Sequence, residues 1–318
     1  MKYIFIFVIL SLSVVLLPFN YIYSQLEKKS FITLAEQLYN IPVDLSFDQS
    51  GNLYVLNSGR RYIQIFDAHG RFIKDIGKNS LGRLRGLQPF AIDVSRNNII
   101  YVLNHVTKQI VEINYFGKLY KILNFDFWVN NLKILRNGDL LLLGNKSNHI
   151  FHVYNKNGNY LYSFGNAFQP PNKKFNWQMA GPMEFYINRD TIYVASNFRY
   201  EIQRYVNKKL NWVYISNDSL KIAANVKSSK RGIEISFPSG ISGIVECGNL
   251  LYVSLFFIDK TKRKYYLDII DVKQKRLVQR FQFNDILMVK IKKGEKRIFA
   301  IYDNSIIYIF YNCERSYE

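Results

Sequence analysis

Arg60, Arg61, Arg83 and Arg85 are the residues of this chain best equipped to act on a partner. A guanidinium fork meets a carboxylate, sulfate or phosphate through two parallel hydrogen bonds, so several forks brought together hold an anion well. More basic residues follow, interleaved with aromatics: Lys173, Lys174 and Trp177, then Arg199, Lys230, Arg231, Lys262 and Arg263. Cations beside ring faces suit nucleic acid and acidic glycans alike. The chemistry these types offer is recognition of negative charge, provided a fold collects them on one surface.

The elements that must do so come from a repeat. Pro42 to Asn57 reads PVDLSFDQSGNLYVLN, Pro89 to Asn104 reads PFAIDVSRNNIIYVLN, and Val129 to Gly144 reads VNNLKILRNGDLLLLG. Each copy holds two short alternating strands around a Gly or Asn turn. Two more follow, as in Ile63–Asp67 and Phe72–Ile76, and consecutive hairpins of this kind make four-stranded antiparallel units. The end of each second strand gives a marker: Asn57, Asn104, Gly144, Ser196, Leu255 and Tyr302. Six markers at this spacing predict an all-β, six-bladed β-propeller over residues 25–318. The last unit has three strands before the chain ends at Glu318, whereas Ser30–Leu34 is a spare strand. The expectation is that this N-terminal strand closes the ring beside Ile306–Tyr311, leaving no open edge.

The run Asn57-Ser-Gly-Arg-Arg-Tyr-Ile-Gln-Ile-Phe-Asp67 resembles the NHL-repeat signature, and the chain is similar to NHL-repeat and TolB-like six-bladed propellers, well over blades one to four and in outline over five and six. The six-residue step from marker to Ile recurs at Asn57/Ile63, Asn104/Ile110, Gly144/Ile150 and Ser196/Ile202. The signature's Arg is replaced by Tyr62, Gln109, His149 and Glu201. The resemblance implies a propeller. It does not choose between RNA-binding modules, protein scaffolds, a lyase and lactonases, all of which use related folds.

Antiparallel strand order fixes which loops share a face. Loops from second to third strands lie with the crossovers between blades. This loop face would carry the residues above with His105, Lys108, Lys146, Lys221, Lys227, Lys260 and Lys264, and with the aromatics Phe168, Phe175, Phe198 and Tyr200. The opposite, turn face mixes signs: Asp48, Asp67, Arg71, Lys118, Arg136, Asp139, Asp190 and Glu246. The net charge of +19 therefore has a direction, and it speaks of partners rather than of fold.

Residue sets for catalysis or metal binding are sparse. No G-x-S-x-G elbow, Walker loop or H-E-x-x-H helix occurs, so no catalytic residue, metal ligand or cofactor is assigned. Of His69, His105, His149 and His152, His105 alone falls in a loop-face loop, and a lone His is more often packing than ligand. Asp44, Asp93 and Glu184 near the blade starts read as lying at non-equivalent offsets, not as one cluster. Asn57, Asn104, Asn145 and Asn197 are expected to satisfy backbone groups, because amides without a carboxylate make a poor cation site. Cys247 and Cys313 are too few for a disulfide framework. They are expected as two free, partly buried thiols.

Lys2, the apolar run Ile4–Leu17 with Ser11 and Ser13 inside it, Pro18 and Ser24 lay out a secretory signal peptide over residues 1–24. Ile22 fits a cleavage site poorly, so an uncleaved N-terminal anchor is the alternative and the expected route to a membrane. The expected location is secreted or periplasmic, in the cell envelope. Export argues against nucleic acid as partner. The reading that results is an exported, non-catalytic propeller binding an acidic polysaccharide, an anionic surface or an acidic protein through its basic face. A propeller hydrolase or lyase with an axial metal, or a structural part of an envelope complex, are the alternatives.

Overall fold

The computed structural model describes residues 28–32, 42–57, 63–76, 88–168, 184–196, 199–216, 225–229, 232–236, 239–259, 262–283, 288–293, 298–302 and 305–309. The expected signal segment, residues 1–24, lies outside the described residues. So do Cys313 and the expected site residues Arg60, Arg61, Arg83, Arg85, Lys173, Lys174, Trp177, Lys230 and Arg231.

The described residues begin with β1 (Lys28–Ile32) and then form blades in order. Blade one is β2 (Pro42–Phe47), β3 (Leu53–Asn57), β4 (Ile63–Phe66) and β5 (Phe72–Ile76). Blade two is β6 (Pro89–Val94), β7 (Ile100–Asn104), β8 (Gln109–Ile113) and β9 (Leu119–Asn124). Blade three is β10 (Asn131–Ile134), β11 (Leu140–Lys146), β12 (His149–Tyr154) and β13 (Tyr160–Asn166). Blade four is β14 (Glu184–Asn188), β15 (Thr191–Ala195), β16 (Glu201–Val206) and β17 (Lys209–Ile215). After the hairpin β18 (Asn225–Ser229) and β19 (Gly232–Ser236), blade five is β20 (Ser239–Cys247), β21 (Leu250–Asp259), β22 (Lys262–Asp271) and β23 (Arg276–Phe283).

All five are four-stranded antiparallel sheets in sequence order, the arrangement of a β-propeller. A further four-stranded sheet joins the two ends of the chain. It runs β1, β26 (Ser305–Ile309), β25 (Ile298–Tyr302), β24 (Met288–Lys293), with Lys28 opposite Ile309 and Ser30 opposite Ile307. The spare strand begins two residues before the expected Ser30.

The middle strands read as unbroken apolar runs because both of their faces are covered. In β3 and β7 every residue is buried. Side chains alternate across a strand, so Tyr54 and Leu56 meet Ile100 and Val102 of blade two. Tyr101 and Leu103 then point the other way, toward Leu140 and Leu142 of blade three. The same interleaving joins blades three and four and blades four and five. A fully buried side chain of this size contributes about 1.5–3 kcal/mol, so a charge placed at Val102 would open the first blade boundary. Outer strands are half solvated, as β13 shows with Tyr160, Leu161 and Tyr162 exposed.

Each blade's first strand leaves an unpaired inner edge, and its N–H groups need acceptors. Carboxylates of the preceding blade supply some of them. Asp44 Oδ2 accepts from Ile92 N at 2.9 Å while its Oδ1 accepts from Leu45 N at 2.8 Å. Asp93 Oδ2 accepts from Ile134 N at 2.7 Å, and its Oδ1 takes Ser46 Oγ at 3.0 Å and the Lys133 ammonium.

The pairing registers correct one sequence-based expectation. Asp44, Ala91, Asn131 and Glu184 lie opposite Leu56, Leu103, Leu143 and Ala195, each the residue before its marker. Asp44 and Glu184 are thus equivalent, and the offset differs because the first turn of blade four is one residue shorter. Asp93 belongs to the next tier with Ser46, Lys133 and Tyr186.

Candidate functional site

The loop face around blades two and three is where the described residues converge. The loop from β7 to β8 turns tightly at Lys108, which adopts φ 55°. Lys108 O accepts from Phe125 N at 3.0 Å, tying the loop to the crossover that leads into blade three. That crossover is anchored from below by Phe125, Phe127 and Val129, all buried. Trp128 lies between buried neighbours and is half-buried itself.

His105 packs between two rings, 4.9 Å from Phe90 and 5.1 Å from Trp128 by centroid. Its Nδ1 lies 3.0 Å from Val129 O, so Nδ1–H donates and Nε2 is left as an acceptor. Lys108 Nζ sits 4.8 Å from the Trp128 ring centroid, a cation–π contact at a partly solvated position. His105 thus packs against two rings and a backbone carbonyl. Nothing in the spacing of Phe90 and Trp128 foretells that they flank it.

Gly144 makes this corner possible. A Cβ there would press into the backbone O of Trp128 and within 3.1–3.2 Å of the Phe127 ring. Only a residue without a side chain lets the crossover pass so close. Beneath, buried His152 contacts Gly144 O through Nε2 at 3.0 Å and Ser163 Oγ through Nδ1 at 2.7 Å. Burial pushes its pKa down to about 4. His152 thereby braces blade three, and His149 starts the same strand.

Charges on this face differ in how free they are. Lys146 Nζ donates to both carboxylate oxygens of Asp126, at 2.7 and 2.9 Å, and that hydrogen bonding holds the Asp126 pKa below its ordinary value. Arg199, 53% exposed at its side chain, pairs with buried Glu201, itself held by Gln203 Nε2 at 2.9 Å. Arg199 therefore presents only part of its fork outward. Lys262 and Arg263 belong to β22, opposite Asp259 and Ile258, near the tip of the long β21–β22 hairpin rather than in an open loop. Their side chains lie outside the described residues.

Two expected surface aromatics are core. Phe168 is buried in the boundary of blades three and four. Tyr200 is buried between blades four and five, where its OH donates to Asp268 Oδ2 at 2.8 Å and Arg280 pairs with the same carboxylate. Lys227 falls in the β18–β19 hairpin, a folded insertion in what reads as a long loop.

Asn104 serves a backbone group as expected, whereas Asn57 bonds mainly to a side chain and its buried Oδ1 has no hydrogen-bond partner among the described residues. Asn104 Oδ1 accepts from Gln88 N at 3.3 Å, and Asn57 Nδ2 donates to Gln64 Oε1 at 3.2 Å. Among the described residues no group of three His, Cys, Asp or Glu is placed to hold a metal ion. Cys247 corrects the expectation of free thiols: it is fully buried at the end of β20 and disulfide-bonded. The sequence holds one other cysteine, Cys313.

The fold is an all-β propeller of four-stranded antiparallel blades, with Lys108 seated on Trp128 beside His105 at one loop corner. No protein-family model matches the chain, and no curated protein matches it in sequence. Solved structures do match in shape. A member of the DUF4221 family from Bacteroides vulgatus aligns with a TM-score of 0.58 at 12% identity, over 89% of this chain and 96% of that one. Kuenenia stuttgartiensis hydrazine synthase aligns with a TM-score of 0.54 at 11% identity, over 84% and 76%. BamB from Moraxella catarrhalis aligns with a TM-score of 0.50 at 12% identity, over 85% of each chain. At such identities the likeness shows the fold alone.

Proposed function

We propose that this chain is an exported, non-catalytic binding module that engages an acidic polysaccharide or another anionic partner through its loop face. The observation that carries the reading is the seat of Lys108 on Trp128, with His105 packed beneath and Lys146 and Arg199 on neighbouring loops of the same face. Rings fixed in this way offer a stacking surface beside positive charge, the pairing that acidic glycans use. The arginines at 60, 61, 83 and 85 would extend it across blade one.

We further propose that the sheet of β1, β26, β25 and β24 is a sixth blade, closing an NHL- or TolB-like ring between blades five and one. Its innermost strand, β24, packs against β20 and β2, as a closing blade must.

Binding of the mature chain to immobilised heparin, with neutral dextran as control, tests the function. Lys108→Asn keeps the left-handed backbone acceptable and removes the charge. It should weaken heparin binding and leave folding intact. Equal retention of parent and variant on heparin, or equal binding to dextran, contradicts the reading. Metal analysis of the purified chain separates it from a propeller hydrolase or lyase, which would carry a stoichiometric ion.

A further inference from the structure

The turns between third and fourth strands give an internal comparison, because three of them are built alike. Asp67 Oδ1 accepts from His69 N and Arg71 N at 2.8 and 2.9 Å. Asn114 Oδ1 accepts from Phe116 N and Lys118 N at 2.9 and 2.8 Å. Asn155 Oδ1 accepts from Asn157 N and Asn159 N at 2.9 and 3.0 Å. Each turn closes on a glycine with positive φ, at 83°, 83° and 86° for Gly70, Gly117 and Gly158. The turn needs Asp or Asn first and Gly fourth, and nothing of its third residue. That position is His69, Phe116 or Asn157, and Phe116 is 84% exposed. A large apolar side chain at the tip of a rigid turn, where its equivalents are polar, is not required by the turn, which leaves its ring able to meet something outside the fold.

Its surroundings say what. Lys74 of blade one lies 3.4 Å from the Tyr115 ring centroid and 5.0 Å from that of Phe116. Lys118 is exposed on the same turn, and Lys121 reaches blade three, where Nζ donates to Lys156 O at 3.3 Å. Tyr120, 56% exposed, stands beside the turn, its OH accepting from Asn114 Nδ2 at 3.4 Å. The carboxylate acting on Lys121 is Glu112, buried beneath it. We propose that this corner of the turn face docks on an anionic lipid bilayer, with Phe116 inserted among the acyl chains and Lys74, Lys118, Lys121 and Lys156 at the headgroups. Lysines around an aromatic tip match a surface that is negative outside and apolar within. The site lies on the face opposite the proposed anion site.

The test is cosedimentation of the mature chain, residues 25–318, with vesicles of phosphatidylcholine carrying about one-third phosphatidylglycerol, a composition chosen to give a strong surface potential. The parent should bind these vesicles and not pure phosphatidylcholine. Phe116→Asn, the residue of the equivalent turn in blade three, should lower affinity about tenfold or more, from the loss of a buried aromatic. Phe116→Trp should preserve it, and His69→Asn should leave it unchanged. Heparin binding should be the same in all four proteins, so failure here is distinguishable from failure of the loop-face reading. No vesicle binding by the parent, or equal binding by parent and Phe116→Asn, overturns the proposal.

Discussion

Asp44 Oδ2 accepts a hydrogen bond from the backbone N–H of Ile92 at 2.9 Å, across the boundary between the first two blades. The two residues are 48 apart in sequence. The contact satisfies an inner-edge donor that no strand can reach. Asp44→Ala leaves both Ile92 N and Leu45 N without that carboxylate, and about 2–4 kcal/mol of stability should be lost. Asp44→Asn keeps one acceptor and should cost less. Thermal denaturation by circular dichroism checks this; a parent-like melt for Asp44→Ala would remove the brace from the account.

Gly144→Ala should act on fold and site together. The added Cβ has to push Trp128 and its crossover away, since the clash is with backbone as well as with the Phe127 ring. We expect a lowered Tm and weakened heparin retention, with Lys108 losing its ring. A variant with parent Tm and parent retention would show that the crossover yields at no cost.

Much of this geometry was legible in the sequence, and the exceptions have physical causes. Gapless alignment of Pro42, Pro89 and Val129 already sets Ser46, Asp93 and Lys133 at one position, and these three side chains meet. The equivalence of Asp44 and Glu184 was hidden by the shortened turn after Asn188. Phe168 and Tyr200 flank basic loops in sequence, but loop ends fold back over the core and bury their rings. The corner of Phe90, His105 and Trp128 left no trace, because it joins a strand, a loop and a crossover through contacts that no periodicity encodes.

Stability should fall with acid through His152. Its folded pKa, pushed down to about 4 by burial, lies below the ordinary value of 6.5, so the unfolded chain binds the proton more readily. Stability from the neutral ring is complete above the unfolded value and is lost as pH falls toward the folded one. The loss approaches about 3 kcal/mol near the lower limit. Between pH 7 and 4.5, His152→Phe should show a smaller fall in Tm than the parent. An identical pH dependence would remove His152 as its source.

Thiol labelling of the unfolded, unreduced chain should find no free thiol, because Cys247 is disulfide-bonded and the sequence offers one partner. Reduction should then lower stability by about 2–4 kcal/mol. Two reactive thiols before reduction would contradict the bond.

The measurement that bears most directly on the central claim is heparin affinity at rising salt for two charge-reversed proteins. One carries Glu at Arg60, Arg61, Arg83 and Arg85, the arginines proposed for the loop face. The other carries Glu at Arg71, Arg96, Arg136 and Lys275, which are exposed on the turn face. Net charge changes equally in both. The account predicts that the first protein loses binding while remaining folded, and that the second keeps most of it, with the steep salt dependence of exposed charges screened over about 8 Å at physiological ionic strength. Equal losses from the two sets would mean that total charge alone attracts the anion, and would contradict a binding site on the loop face.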